Sequence, residues 1–162
     1  MKDPQSHSPP DEPAAQSRRR KAFGFWQVFW IGALFVSLGY AWYCFYVPAN
    51  DIAWAKDYAS AQQQAAHSGK PLILYFTGKW CVPCKIMKRQ VWADEQVTRA
   101  VNKAFVPLTL DVEDPGAVAA LRRYRVGPTP TTIIADPQGK VLHQVEGGMS
   151  KADFLALLGK VN

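Results

Sequence analysis

Cysteine, histidine and methionine are all scarce in this chain, with three of each in 162 residues. Three cysteines cannot build the disulfide framework that small secreted domains use in place of a core. Cys81 and Cys84 form the only close pair, and no histidine stands at a ligand spacing from them, so a structural zinc site lacks its other half. Met1, Met87 and Met149 are scattered, which leaves a soft-metal site little beyond the two cysteines. No internal repeat is visible. The net charge of +6 is modest, and Lys79, Lys85, Lys88 and Arg89 gather near the cysteines instead of forming a stripe. That pattern excludes a nucleic-acid module.

Charge is missing altogether from Phe23 to Val47, a run of 25 residues. As a helix it would span about 37 Å, against about 30 Å of hydrocarbon. Trp26 and Trp30 lie near one end, and Tyr40, Trp42, Tyr43 and Tyr46 near the other, the distribution of an aromatic belt. Arg18-Arg19-Arg20-Lys21 precedes the run and predicts a cytoplasmic N-terminus. Residues 1–22 therefore read as a disordered tail ending in a basic block, 23–47 as a signal anchor, and 51–162 as an exported domain. A cleaved signal peptide is the competing reading, with Val47-Pro48-Ala49 as the only tolerable site. Its apolar core would far exceed the usual 7–15 residues. Cys44 reads as a structural residue of the membrane segment.

The most informative segment of the exported part is Trp80-Cys81-Val82-Pro83-Cys84-Lys85. It follows an apolar run, Pro71 to Phe76, that reads as a buried strand, and it precedes a helical stretch, Lys85 to Val91. A helix N-terminus carries partial positive charge and free N–H groups, which favour a thiolate over a thiol. A second cysteine one turn later can attack a mixed disulfide and release its partner. Pro83 falls in the first turn, where a missing N–H is harmless.

With Val126-Gly127-Pro128-Thr129-Pro130-Thr131 downstream and the strand-like Thr132-Ile133-Ile134-Ala135 after it, the chain resembles the thioredoxin superfamily over roughly residues 51–162. The resemblance implies a thioredoxin-like α/β fold: a central mixed sheet of four strands, five if the family's usual first strand is present, flanked by helices. It implies a redox-active Cys81–Cys84 disulfide and a cis-proline at Pro130. Cys81 would be the nucleophile and Cys84 the resolving thiol. Trp80 and Thr129 would border the substrate, and Lys79 and Lys85 would tune the thiolate. One departure stands out. The buried Asp that thioredoxins carry on the active-site strand corresponds here to Tyr75, a neutral phenol titrating near 10. Asp111 and Glu113, at the exit of the neighbouring strand, are candidate substitutes or simply solvated strand ends. His67 and His143 read as surface groups.

Elsewhere the pattern predicts helices over Asp51–His67, with Asp51 as cap and Trp54, Tyr58, Ala61 and Ala65 on one face, and over Glu95–Lys103, Ala117–Tyr124 and Lys151–Leu158, the last capped by Ser150. Strands are predicted at Phe105–Val112, Thr131–Ala135 and Val141–Val145, the last two joined by Asp136-Pro137-Gln138-Gly139.

The expected function is a membrane-anchored thiol–disulfide oxidoreductase without organic cofactor or metal, single-pass in a bacterial inner membrane, with the redox domain periplasmic. Its partners would be protein disulfides. Val82-Pro83 is similar to the Gly-Pro of reducing thioredoxins, so reductase-like chemistry is expected. That direction calls for a membrane electron donor of the DsbD or CcdA type, and cytochrome c maturation or disulfide repair would be a fitting role. The alternative is a membrane-tethered copper-binding module using the same two cysteines.

Overall fold

A computed structural model describes the backbone of residues 14–161 and the side chains from Gly24 onward. The basic block and the tail before it lie outside the residues whose side chains are described. The chain divides between Tyr43 and Cys44 into two compact units. The first is dominated by α1 (Ala14–Phe45), within which Gly24–Phe45 has a mean hydropathy of 1.6 and no residue buried by the protein. These 22 residues are long and apolar enough to cross a membrane.

The second unit follows the order α2 (Tyr58–Ser68), β1 (Leu72–Thr77), α3 (Val82–Met87), α4 (Glu95–Ala104), β2 (Val106–Asp111), α5 (Val118–Tyr124), β3 (Thr131–Ala135), β4 (Val141–Glu146) and α6 (Lys151–Gly159). The four strands form one sheet in the order β2-β1-β3-β4. β1 runs parallel to β2 and antiparallel to β3, and β3 pairs antiparallel with β4. This is the mixed four-stranded thioredoxin-like sheet expected from the sequence.

β1 is buried along its whole length, and its two-residue period divides the core. Leu72, Leu74 and Phe76 face Ala61, Ala65, Ala120 and Tyr124. Ile73 and Tyr75 face Cys84, Trp92, Val97, Val101 and Phe154. Fully burying each such large apolar side chain contributes about 1.5–3 kcal/mol, which commits β1 to the centre of the sheet.

Two expectations need correction. Helix α2 begins at Tyr58 and is capped by Asp57, whose Oδ1 accepts from the Ser60 N–H at 2.7 Å in a reciprocal capping box. Asp51 caps nothing. The preceding segment is held irregular by tertiary bonds that a helix would forfeit. The Ala53 N–H donates to Asn102 Oδ1, and the Ala55 N–H to the Pro107 carbonyl at 2.8 Å. Trp54 thereby leaves the Ala61 face and packs against Trp92, with ring centroids 5.0 Å apart. This segment shields the outer edge of β2 where a fifth strand would pair, and Pro107, which lacks an N–H, is at home on that edge.

The helix after the cysteines is also not continuous. α3 ends at Met87 and widens into a π-turn, Lys88–Trp92, in which the Ala93 N–H reaches the Lys88 carbonyl. The extra residue in the turn brings two neighbours, Val91 and Trp92, into the core together.

Candidate active site

Cys81 is the N-cap of α3. Its Sγ accepts from the Cys84 N–H at 3.2 Å, and Pro83 occupies the first turn. The Lys85 N–H reaches back to the Cys81 carbonyl. Cys81 and Cys84 are joined by a disulfide across a Cα–Cα distance of 5.2 Å. Their environments differ sharply. Cys84 is fully buried, whereas Cys81 keeps partial exposure beside Trp80, which is 80% exposed. Val82 and Ile86 extend this apolar rim.

The sheet register brings the second motif to the same edge. Thr131, the first residue of β3, pairs with Phe76 near the end of β1, so the Thr129-Pro130 bond lies beside the strand end that leads to Cys81. That bond is cis. Pro130 is buried, Thr129 partly so. The Pro130 carbonyl accepts from Gly147, and the Thr131 hydroxyl donates to the Pro128 carbonyl, both at 2.7 Å. The end of β2 arrives at this edge too, through the Val112 N–H to the Thr77 carbonyl.

The charged candidates fall differently. Lys79 lies 3.8 Å from Glu113, and both side chains are well exposed; such a pair contributes little. Asp111 accepts from the Glu113 N–H. Neither carboxylate has a hydrogen bond to Cys84 in this structure. His67 is exposed at the end of α2, and His143 lies opposite Ile134 on β4.

Tyr75 occupies the position under the cysteines. It is fully buried, and its hydroxyl donates to the Cys84 carbonyl at 3.2 Å. Burial pushes its pKa up to about 12, and the nearby Thr77 hydroxyl and Trp92 indole N–H only partly oppose that rise. Neither of those two groups reaches hydrogen-bond geometry with any partner. Tyr75 is therefore a fixed donor and not a base.

Sequence reasoning gave no role to two residues beside it, Trp92 and Lys88, although it placed Lys88 among the basic residues near the cysteines. Lys88 and Trp92 line a cavity of about 190 Å³ together with Asn50, Trp54, Tyr75 and Thr109. The usable signal was spacing, since Cys84, Lys88 and Trp92 recur every four residues along one helical face.

A buried disulfide sulfur and a half-exposed one at a helix N-terminus, next to a cis-proline on a mixed α/β sheet, define a dithiol–disulfide site. The chain belongs to the thioredoxin-like domain family, whose model matches residues 58–162. It is 38% identical over 101 residues to the thiol:disulfide interchange protein DsbD of Ralstonia nicotianae, covering 60% of this chain and 16% of that protein. It is 27% identical over 113 residues to the thiol-disulfide oxidoreductase ResA of Bacillus thuringiensis, covering 57% of this chain and 64% of the relative. A thioredoxin from Thermus thermophilus superposes with a TM-score of 0.62 at 29% identity, over 68% of this chain and 86% of that one. The chain thus spans only a small part of the DsbD that it matches.

Proposed function

We propose that this protein is a membrane-anchored thiol–disulfide oxidoreductase that reduces disulfides of exported proteins. The observation that carries the reading is the unequal burial of the two sulfurs at the N-terminus of α3. A client disulfide can be approached by Cys81 alone. Its thiolate, favoured by the helix N-terminus, attacks one client sulfur, breaks the client S–S bond, expels the client's other sulfur as a thiolate that takes a proton, and forms a mixed disulfide. The Cys84 thiolate then attacks Cys81 Sγ, the client's second thiolate leaves and takes a proton, and two electrons have passed to the client. Trp80, Val82 and Ile86 offer an apolar rim for an extended client segment, and the backbone at Thr129 would border that segment. Lys79 and Lys85 add positive charge around Cys81.

The apolar helix Gly24–Phe45 supports anchoring, and the basic block before it supports a cytoplasmic N-terminus with residues 51–162 in the periplasm. A reductase there needs a supply of electrons. Resemblance to a DsbD segment supports a membrane relay of the DsbD or CcdA type as donor.

Reduction of insulin by the full chain in detergent tests the reading, with dithiothreitol as electron source. Catalysed precipitation that disappears in Cys81→Ala is expected, and a rate no faster than dithiothreitol alone would refute it. A reporter fused after Asn162 should be active only on the periplasmic side.

A further inference from the structure

Resolution of the mixed disulfide requires Cys84 to lose a proton while fully buried, and burial in apolar surroundings disfavours a thiolate. The residue beneath it, Tyr75, carries no charge to help. One cation does border this region. Lys88 follows Cys84 by one helical turn and donates its N–H to the Cys84 carbonyl. Residues so spaced have Cβ atoms about 5–6 Å apart, and helical side chains lean toward the preceding turn. The Lys88 stem is half-buried, and its side chain lines the same cavity as Tyr75 and Trp92.

We propose that the Lys88 ammonium is the positioning charge that stabilises the Cys84 thiolate during resolution. This deepens the reductase reading and rests on it. The Cys84 S–H bond breaks heterolytically, and its proton passes to water; the cavity of about 190 Å³ that Tyr75 and Lys88 line has room for water beside them. The sulfur keeps the electron pair, forms the bond to Cys81 Sγ, and expels the client thiolate, which is protonated by solvent. The buried indole N–H of Trp92, a cavity-lining residue, has no partner and suits such water.

The charges facing Lys88 are few. Asp111 acts on it from the end of β2 and Lys85 from α3, while Tyr75 presents a neutral phenol. Burial pulls Lys88 below the ordinary lysine range, with Asp111 restraining the fall.

The test uses the reduced full chain in detergent, insulin as the probe disulfide, and acid quenching followed by alkylation to count the chain–insulin mixed disulfide over time. Lys88→Met should prolong that species on the order of ten-fold at neutral pH and move its resolution profile about one pH unit to the alkaline side. Lys88→Arg should restore both, since it returns charge without proton-accepting ability. Asp111→Asn, which removes the opposing carboxylate and leaves position 88 intact, should shift the profile to the acid side. That arm stands even where Lys88→Met fails to fold. Equal lifetimes for wild type and Lys88→Met, a Lys88→Arg as slow as Lys88→Met, or an unmoved Asp111→Asn profile would each overturn the proposal. Absence of any mixed disulfide in the wild type would instead count against the reductase reading itself.

Discussion

The hydroxyl of Tyr75 on β1 donates to the backbone carbonyl of Cys84 on α3 at 3.2 Å, tying that cysteine to the centre of the sheet. The Cys84 carbonyl also accepts from the Lys88 N–H, so loss of the phenol leaves it satisfied. Tyr75→Phe should therefore lower unfolding free energy by about 1 kcal/mol, the usual net worth of one hydrogen bond. Burial holds the phenol up at about 12 in the fold, against about 10 unfolded. Its contribution is complete below about pH 10 and declines as pH rises from about 10 towards about 12. Denaturant unfolding of Tyr75→Phe should show a shallower alkaline loss; Tyr124, also raised by burial, keeps the slope from vanishing. The pH profile of insulin reduction should stay unchanged between about pH 6 and 9, because the phenol does not titrate there. A displaced profile would make Tyr75 an acid–base group.

The two sulfurs should behave differently towards a small electrophile. In the reduced protein Cys81, half-exposed at the helix cap, should alkylate with iodoacetamide much faster than buried Cys84. Cys84→Ala should accumulate mixed disulfides with insulin, visible as a shift on non-reducing gels, while Cys81→Ala accumulates almost none. Equal trapping by both variants would remove the nucleophile assignment.

What the sequence disclosed, and what it hid, follows from the range of the interactions. The β1 run, the Ser150 cap and the Asp136–Gly139 turn are local. Ser150 Oγ accepts from the Asp153 N–H, and Asp136 Oδ1 collects the Gln138 and Lys140 N–H groups. Each is set by residues within a few positions, so each was legible. The false helical start at Asp51 came from reading Trp54, Tyr58, Ala61 and Ala65 as one face. Trp54 is claimed instead by Trp92, and the backbone around it by Asn102 and Pro107, all far along the chain. The π-turn was hidden for the same reason, since it exists to seat Val91 and Trp92 together. At the site, the cysteine motif was plain, but the Lys88–Tyr75 cavity depends on how β1 faces α3, which no local pattern encodes.

Trp92 is the aromatic hub under the cysteines. Its ring lies 5.0 Å from Trp54, 5.1 Å from Tyr75 and 4.8 Å from Phe154, centroid to centroid. It is fully buried, so Trp92→Ala removes a large side chain that its neighbours cannot refill, at a cost of about 3–5 kcal/mol. Trp92→Phe keeps edge-to-face packing and discards an indole N–H that has no partner. It should lose much less than the alanine variant in urea unfolding. Comparable losses in the two would show that the indole N–H, and not ring packing, carries the stability.

Asp94 joins two helices and gives the fold an acid sensitivity of defined sign. Its Oδ1 caps α4 by accepting from Gln96 and Val97, and its Oδ2 accepts from Lys151 Nζ of α6 at 2.8 Å. The Lys151 hydrogen bond, opposed by burial and assisted by the two backbone donors, holds the carboxyl below the usual Asp range. A carboxyl depressed in the folded state adds stability above its unfolded pKa of about 3.9 and loses it as pH falls through the lower folded value. Asn is as good a cap as Asp, so Asp94→Asn keeps the α4 N-terminus and removes only the charge facing Lys151. At neutral pH the variant should melt below wild type. As pH drops below about 4 the two melting temperatures should converge, because the wild type then loses what the variant never had. A constant gap between the two melting curves across that range would show that the α4–α6 link is not electrostatic.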